Sequence, residues 1–325
     1  MRRVLVTHVE SPVGRRVVKA LFHDPDVALV LGLGPEPEPS YLAPYRGKVA
    51  YQRLDLAKAR HLQSFLHSER FARARPDSVI HLPFAAERAG ERVPGGVPSL
   101  VSETRRLVEE CVEKPGIERF VYLSSAFVYD VEPGNGNVVS EAQLLGFDGE
   151  GDSLVRAWID ADLVCQGELH GSALRMTILR AATIVTEAGE FLNSPPLARR
   201  DPAVGYDPML AVVSDRDVAR ALVLALHADR PGTYNIAGRE VFPRSQLGVS
   251  ERRIAGFTLP PPLGGALALV EQLLGRGSAH RPMFDRYGIV PSARLAQEVL
   301  GFEPQYRIEV RGSGASRRID TVRCR

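Results

Sequence analysis

The chain has 325 residues, with 41 Lys and Arg set against 39 Asp and Glu for a formal net charge of +2. The length allows one large domain with a satellite, or two domains, and apolar and charged fractions of 44% and 25% belong to a globular chain rather than a disordered one. So even a charge balance gives no electrostatic reason to expect nucleic acid or a membrane surface as partner.

The first strand is predicted at Arg3-Val4-Leu5-Val6-Thr7, and the apolar spacing of Val13, Val17, Val18 and Leu21 predicts the helix after it. Further strands follow at Val27 to Leu33, Val49 to Leu54, Ser78 to Leu82, Phe120 to Ser124 and Met176 to Ile184. Helical spacing fills the gaps at 61–74, 100–113 and 154–169, and Pro25, Pro76 and Pro115 punctuate their surroundings. Strands alternating with helices imply an α/β fold, a doubly wound parallel sheet of Rossmann-like type with right-handed crossovers.

After Ile184 the pattern changes. Residues 190–205 are rich in Pro and Arg, Asp217 to Leu226 reads as a helix, and Gly232 to Gly238 reads as a short strand. A Pro260-Pro261-Pro262 step, an amphipathic segment from Leu263 to Leu274 and a last helix near Ser292 to Leu300 complete a smaller C-terminal lobe of substrate-binding type. The division expected is residues 1–185 for the sheet domain with 211–238 returning to it, 186–210 and 239–308 for the lobe, and 309–325 for a basic tail. That tail carries Arg311, Arg317, Arg318, Arg323 and Arg325 and is expected as a solvated terminus.

Cys111, Cys165 and Cys324 stand far apart and form no ligand cluster, which predicts a reduced, cytoplasmic protein without a structural metal. The apolar run after the N-terminal arginines is short and broken by His8 and Glu10, so no signal peptide is expected, and no apolar stretch is long enough to span a membrane.

The first turn is the most informative segment. A nucleotide-binding chain places three spaced glycines there: for the tight turn, for close approach of backbone to pyrophosphate, and for packing of helix on strand. In Thr7-His8-Val9-Glu10-Ser11-Pro12-Val13-Gly14 only the packing glycine, Gly14, remains. Pro12 lacks an amide and Glu10 sets a negative charge near the helix N-terminus that would otherwise attract phosphate.

Several ordered motifs resemble one family. Leu54-Asp55-Leu56, Val79-Ile80-His81-Leu82 with Ala85-Ala86, the run from Phe120 to Tyr129, Ser140-Glu141, Ile178-Leu179-Arg180, Asp217-Val218-Ala219 and Tyr234 to Gly238 resemble landmarks of the extended short-chain dehydrogenase/reductases, in the branch of NAD-dependent epimerases and dehydratases. The resemblance runs from Val4 to about Pro304. It implies that His8, Ser11, Val13, Gly14, Asp55, Leu56 and His81 line a degenerate cofactor site for NAD or NADP. It also implies that Ser125 and Tyr129 are the catalytic candidates if the chain is active.

The departures fall on chemistry. The family's Tyr acid/base and the Lys four residues later align with Leu154 and Trp158, and no Tyr-x-x-x-Lys pair exists in that helix. Gly34 stands where an acidic residue would hold the ribose hydroxyls, and Leu100 where the family has Asn. Two readings stay open. One is a non-catalytic member of the fold that binds a partner protein or small ligand in a remodelled cleft. The other is an atypical NAD(P)-dependent epimerase, dehydratase or reductase acting on a nucleotide-sugar or similar small substrate.

Bland roles are expected for the surviving residues. Asp55 caps a helix near Ala57, Asp160 and Asp162 lie on a solvated face, Trp158 fills space, and His8 and His81 meet at the ends of neighbouring strands. The helices at 100–113 and 154–169 offer Leu107, Val108, Cys111, Val155, Ile159, Leu163 and Val164 as apolar surface for a homodimer.

Overall fold

A computed structural model describes residues 1–83, 96–132, 138–146, 153–198, 206–247, 286–312 and 318–324, together with Gly134, Gly136 and Phe284. The segments expected at Pro260 to Pro262 and Leu263 to Leu274, the Ala85-Ala86 pair, and Arg317 and Arg325 lie outside the described residues.

In the first half the chain runs β1 (Arg2–Val6), α1 (Pro12–His23), β2 (Val27–Gly34), β3 (Val49–Arg53), α2 (Ala59–Leu66), α3 (Glu69–Ala74), β4 (Ser78–His81), α4 (Gly96–Glu113) and β5 (Arg119–Ser125). It continues through β6 (Val138–Val139), α5 (Ser153–Gly171), β7 (Arg175–Ala181), β8 (Thr183–Val185), β9 (Phe191–Leu192), α6 (Pro195–Ala198), β10 (Met209–Ser214), α7 (Asp215–His227) and β11 (Gly232–Ile236). Strands β12 (Val241–Pro243), β13 (Val290–Pro291), β14 (Tyr306–Arg311) and β15 (Arg318–Arg323) follow, with a helix at Arg294–Leu300 between β13 and β14.

Seven parallel strands form the central sheet in the order β11-β7-β5-β4-β1-β2-β3. Both faces are covered, which is why its strands read as continuous apolar runs. Alternate residues feed different cores: Phe120 and Tyr122 pack on one face, Val121 and Leu123 on the other. Strand order reverses between β1 and β4, and in an open sheet of this kind the ligand crevice lies outside the carboxyl ends of the strands at that point. His8 follows β1 and His81 ends β4, so both stand at this crevice.

Gly14 has the packing role expected of it. A Cβ there would overlap the His8 carbonyl oxygen and lie 2.8 Å from Val9 Cα, so only glycine lets α1 sit against the turn.

Three expectations need correction. The strand expected from Met176 to Ile184 is two strands in two sheets, β7 in the central one and β8 in a four-stranded sheet. Asn193 fixes the crossing, because its side-chain amide donates to the Ala181 and Ala182 carbonyls at 3.1 Å while its Oδ1 accepts the Ile184 amide at 2.9 Å. The helix expected over 61–74 is broken at Ser68, whose hydroxyl caps α3 by accepting the Phe71 amide and donates to the Phe65 carbonyl.

The third correction concerns the basic tail. Tyr306–Arg311 and Arg318–Arg323 pair as an antiparallel hairpin whose inner face carries Ile308 and Ile319 into the core. Its outer face neutralises itself in part, with Glu309 between Arg307 at 2.5 Å and Arg311 at 2.6 Å. Asp217 holds the start of β14 by accepting the amides of Gln305 and Tyr306 at 2.8 and 3.0 Å.

The apolar side chains expected at a dimer face are largely used within the chain. Leu107, Val108, Cys111, Val155 and Ile159 are buried, and Leu163 with Val112 remains exposed. Among the described residues no helix is long and apolar enough to cross a membrane.

Candidate functional site

The turn between β1 and α1 is closed by its own hydrogen bonds. The Val9 amide donates to the Leu33 carbonyl at 3.2 Å, the Ser11 amide to the His8 carbonyl at 3.0 Å, and the Gly14 amide to the Ser11 hydroxyl at 3.0 Å. Pro12, the first helical residue, has no amide to give. His8 sits at φ +50°, in the left-handed region that glycine occupies at little cost and other residues at about 1–2 kcal/mol.

The His8 side chain explains why that conformation is kept. Its Nε2 lies 2.5 Å from Glu103 Oε1 on α4, and its Nδ1 lies 3.3 Å from Glu10 Oε1. A carboxylate at each ring nitrogen requires both to carry protons. Burial acts to lower the imidazole pKa, but the two carboxylates, Glu103 foremost, raise it to about 10. Burial likewise works to raise Glu103, and the His8 cation holds it below the ordinary carboxylate value.

His81 is the opposite case. Its ring is 6.4 Å from that of His8 between centroids, with Thr7 Oγ1 2.9 Å from Nδ1 and Thr104 Oγ1 3.0 Å from Nε2. Burial lowers its pKa to about 3, and two hydroxyls satisfy a neutral ring without a charged partner. The sequence thus placed the two histidines together, and their surroundings shift them in opposite directions, His8 upward by its carboxylates and His81 downward by burial. Among the described residues no group of three or more His, Cys, Asp or Glu side chains is arranged to hold a metal ion.

Glu103 was missed from the sequence, although a signal existed. It lies one helical turn after Leu100, the position where the resemblance expects Asn, and therefore shares its face of α4.

At the end of β2, Gly34 leaves an open position that other groups enter. A Cβ built there would overlap Glu10 Oε2 and lie 2.9 Å from the Tyr51 hydroxyl. Asp55 accepts the Ala57 amide at 3.1 Å and meets Lys58 Nζ at 3.2 Å. It closes a turn there instead of capping a helix, because α2 starts two residues further on, at Ala59. Val13 and Leu56 are buried in the core, where they pack.

At the crevice's other side, Ser125 accepts the Phe127 amide at 3.2 Å and faces Asn193 Nδ2 at 3.4 Å. The Tyr129 hydroxyl donates to Asn235 Oδ1 at 2.6 Å in a buried contact, and burial pushes the phenol up to about 12. The Arg180 guanidinium lies over the Tyr129 ring, 4.8 Å from its centroid. On α5, Leu154 is half-buried and Trp158 is buried among core side chains.

Asp162 overturns the expectation of a solvated face. It is fully buried and receives Arg180 Nε at 3.0 Å, an Arg180 terminal nitrogen at 2.6 Å, the Ser124 hydroxyl at 2.5 Å and Gln166 Nε2 at 2.7 Å. Its neighbour Asp160 does lie at the surface, paired with Arg156 at 3.1 Å.

Similar solved structures include a UDP-glucose 4-epimerase from Thermotoga maritima, at 16% identity and a TM-score of 0.62, with 94% of each chain covered. A dTDP-glucose 4,6-dehydratase from Bacillus anthracis in complex with NAD matches at 15% identity and 0.63, covering 94% of this chain and 92% of that one. The dTDP-glucose 4,6-dehydratase DesIV from Streptomyces venezuelae, a double mutant with NAD bound, matches at 19% and 0.64, covering 93% and 92%. The fold is that of the NAD-dependent epimerases and dehydratases. Its structural neighbours are extended short-chain dehydrogenase/reductases, and at these identities the likeness establishes the architecture alone. No sequence-family model and no curated protein sequence matches the chain.

The cofactor bound in two of these neighbours is the group to test against the present residues. A dinucleotide pyrophosphate needs free amides and positive potential at the first turn. Here the amides of Val9, Ser11 and Gly14 are already bonded, Pro12 has none, and the carboxylates of Glu10 and Glu103 stand on either side of His8. Leu154 and Trp158, which the resemblance aligns with the family's Tyr and Lys, supply neither a phenol nor an ammonium. The residues present do not fit a bound dinucleotide in the usual mode.

Proposed function

We propose that this chain is a pseudoenzyme: an epimerase/dehydratase-type scaffold whose remodelled crevice serves binding rather than nicotinamide chemistry. The observation that carries this reading is the ion pair of His8 with Glu103, with Glu10 on the other ring nitrogen, which occupies the turn where phosphate would sit. Support comes from the catalytic side. Tyr129 spends its hydroxyl on Asn235, and burial raises its pKa to about 12 even with the Arg180 guanidinium over its ring acting to lower it. The ligand of such a crevice is a small molecule lacking phosphate, or a segment of a partner protein.

Calorimetric titration with NAD, NADH, NADP and NADPH tests the proposal. No saturation at millimolar cofactor is expected. Saturable binding of any of the four would overturn it and favour an atypical NAD(P)-dependent enzyme, in which Ser125→Ala and Tyr129→Phe should then abolish turnover.

A further inference from the structure

A concavity lies away from the crevice, toward the amino ends of β1, β2 and β3. The sheet register sets Arg3 opposite Leu29 and Leu31 opposite Ala50, so these four side chains share one face. Two short helices, α2 and α3, stand over that face where one longer helix was expected, with the break at Ser68. Leu31 is buried, but Leu29 and Ala50 are only half-buried. With Arg70, Arg73 and Glu69 of α3 above them, they line a cavity of about 540 Å³, a size that suits a small molecule.

The cavity has an apolar floor and a cationic rim. Arg3 reaches across to the end of α3, its Nε donating to the Ala74 carbonyl and a terminal nitrogen to the Arg73 carbonyl at 3.0 Å. Arg70 donates a terminal nitrogen to the Tyr51 carbonyl at 2.5 Å. Both guanidiniums are thus held by neutral carbonyls, and among the described residues neither forms an ion pair with a carboxylate. The nearby acids are engaged elsewhere: Asp77 accepts the Arg3 main-chain amide at 3.0 Å, and Glu69 is matched by Arg73 at 3.0 Å. Two positive charges therefore stand fixed beside an apolar floor, and each guanidinium keeps N–H donors for an incoming oxygen. Uncovered Leu29 and Ala50 surface gains free energy from contact with an alkyl chain.

We propose that this cavity binds an aliphatic carboxylic acid of medium chain length, its carboxylate on Arg3 and Arg70 and its alkyl chain on Leu29, Leu31 and Ala50. The site lies at the opposite ends of the strands from the crevice, so it stands or falls separately from the pseudoenzyme reading.

The full chain is titrated calorimetrically with octanoate, decanoate and dodecanoate below their micelle-forming concentrations, with decanol, and with vesicles of phosphatidylglycerol. One saturable site is expected, tightening about tenfold from octanoate to decanoate as two further CH₂ groups are buried. Decanol should bind about fivefold more weakly than decanoate or worse, because it lacks the charge. Arg70→Gln should weaken decanoate by a similar factor, and Ala50→Phe, which fills the floor, should abolish binding; thermal unfolding confirms that each variant is folded. Silence of all three carboxylates overturns the proposal, as does binding to the vesicles alone, which would mark a membrane-facing surface instead. Equal affinity for decanol and decanoate overturns the role of the guanidiniums. Decanoate affinity unchanged in both variants overturns the assignment to this cavity.

Discussion

His8 and Glu103, 95 residues apart in the chain, meet at 2.5 Å across the crevice and tie the first βα turn to helix α4. Both side chains are close to buried, at 12% and 9% exposure, so the pair is screened little by solvent. Removing one partner leaves the other charge largely desolvated. Glu103→Ala should therefore cost about 3–5 kcal/mol in chemical denaturation, and Glu103→Gln, which keeps an acceptor, distinctly less. Equal stability of Glu103→Ala and wild type would show that the pair contributes nothing to the fold.

The two neighbouring histidines give stability opposite slopes on either side of their ordinary value of 6.5. His8 is raised in the native state to about 10, so its contribution is complete below 6.5 and fades as pH rises toward 10. His81 is lowered to about 3, so below 6.5 the unfolded chain takes up a proton that the native ring refuses, and its effect is to reduce stability as pH falls. Denaturation midpoints measured from pH 5 to 10 should decline on the alkaline limb. In His8→Asn that limb should flatten, and an unchanged alkaline slope in the variant would refute the assignment.

Asp162 and Arg180 form the deepest ion pair at the site, with exposures of 0% and 3%. Asp162→Ala would strand the guanidinium and deprive the Ser124 hydroxyl of its acceptor, for an expected loss of about 3–5 kcal/mol by urea denaturation. Any loss within the few tenths of a kcal/mol typical of a surface position would contradict the buried geometry.

Tyr129→Phe separates a structural tyrosine from a catalytic one. It removes the donor to the buried Asn235 Oδ1 and should lower stability by about 1–3 kcal/mol. On the pseudoenzyme reading no nicotinamide-dependent turnover exists to be lost. A spectrophotometric assay showing turnover in wild type and none in the variant would reverse that conclusion.

Much of the site was legible as a set of absences. The missing glycines, the missing Tyr-x-x-x-Lys pair and Gly34 in place of an acid are facts of residue identity at recognisable spacings. What replaces them was not legible. Glu10 reads locally as a charge near a helix start, and only the packing of β1 beside β2 carries its carboxylate over Gly34. Asp162 has an apolar neighbour on either side and Asp160 two residues before it, a local pattern that gives no sign of the buried arginine waiting on β7.

The sequence by itself determined the order of strands and helices, the doubly wound sheet, the need for glycine at position 14 and the absence of a Tyr-x-x-x-Lys pair from the helix at 154–169. These follow from periodicity and residue type, which act over a few neighbouring positions. The tertiary structure alone decided that Met176 to Ile184 divides between two sheets, that Tyr306–Arg311 pairs with Arg318–Arg323, and that His8 is shifted up while His81 is shifted down. The reason is that strand partners and charge partners come from distant segments. Two histidines with one intrinsic pKa are driven apart by what the fold sets beside each: carboxylates for one, hydroxyls for the other.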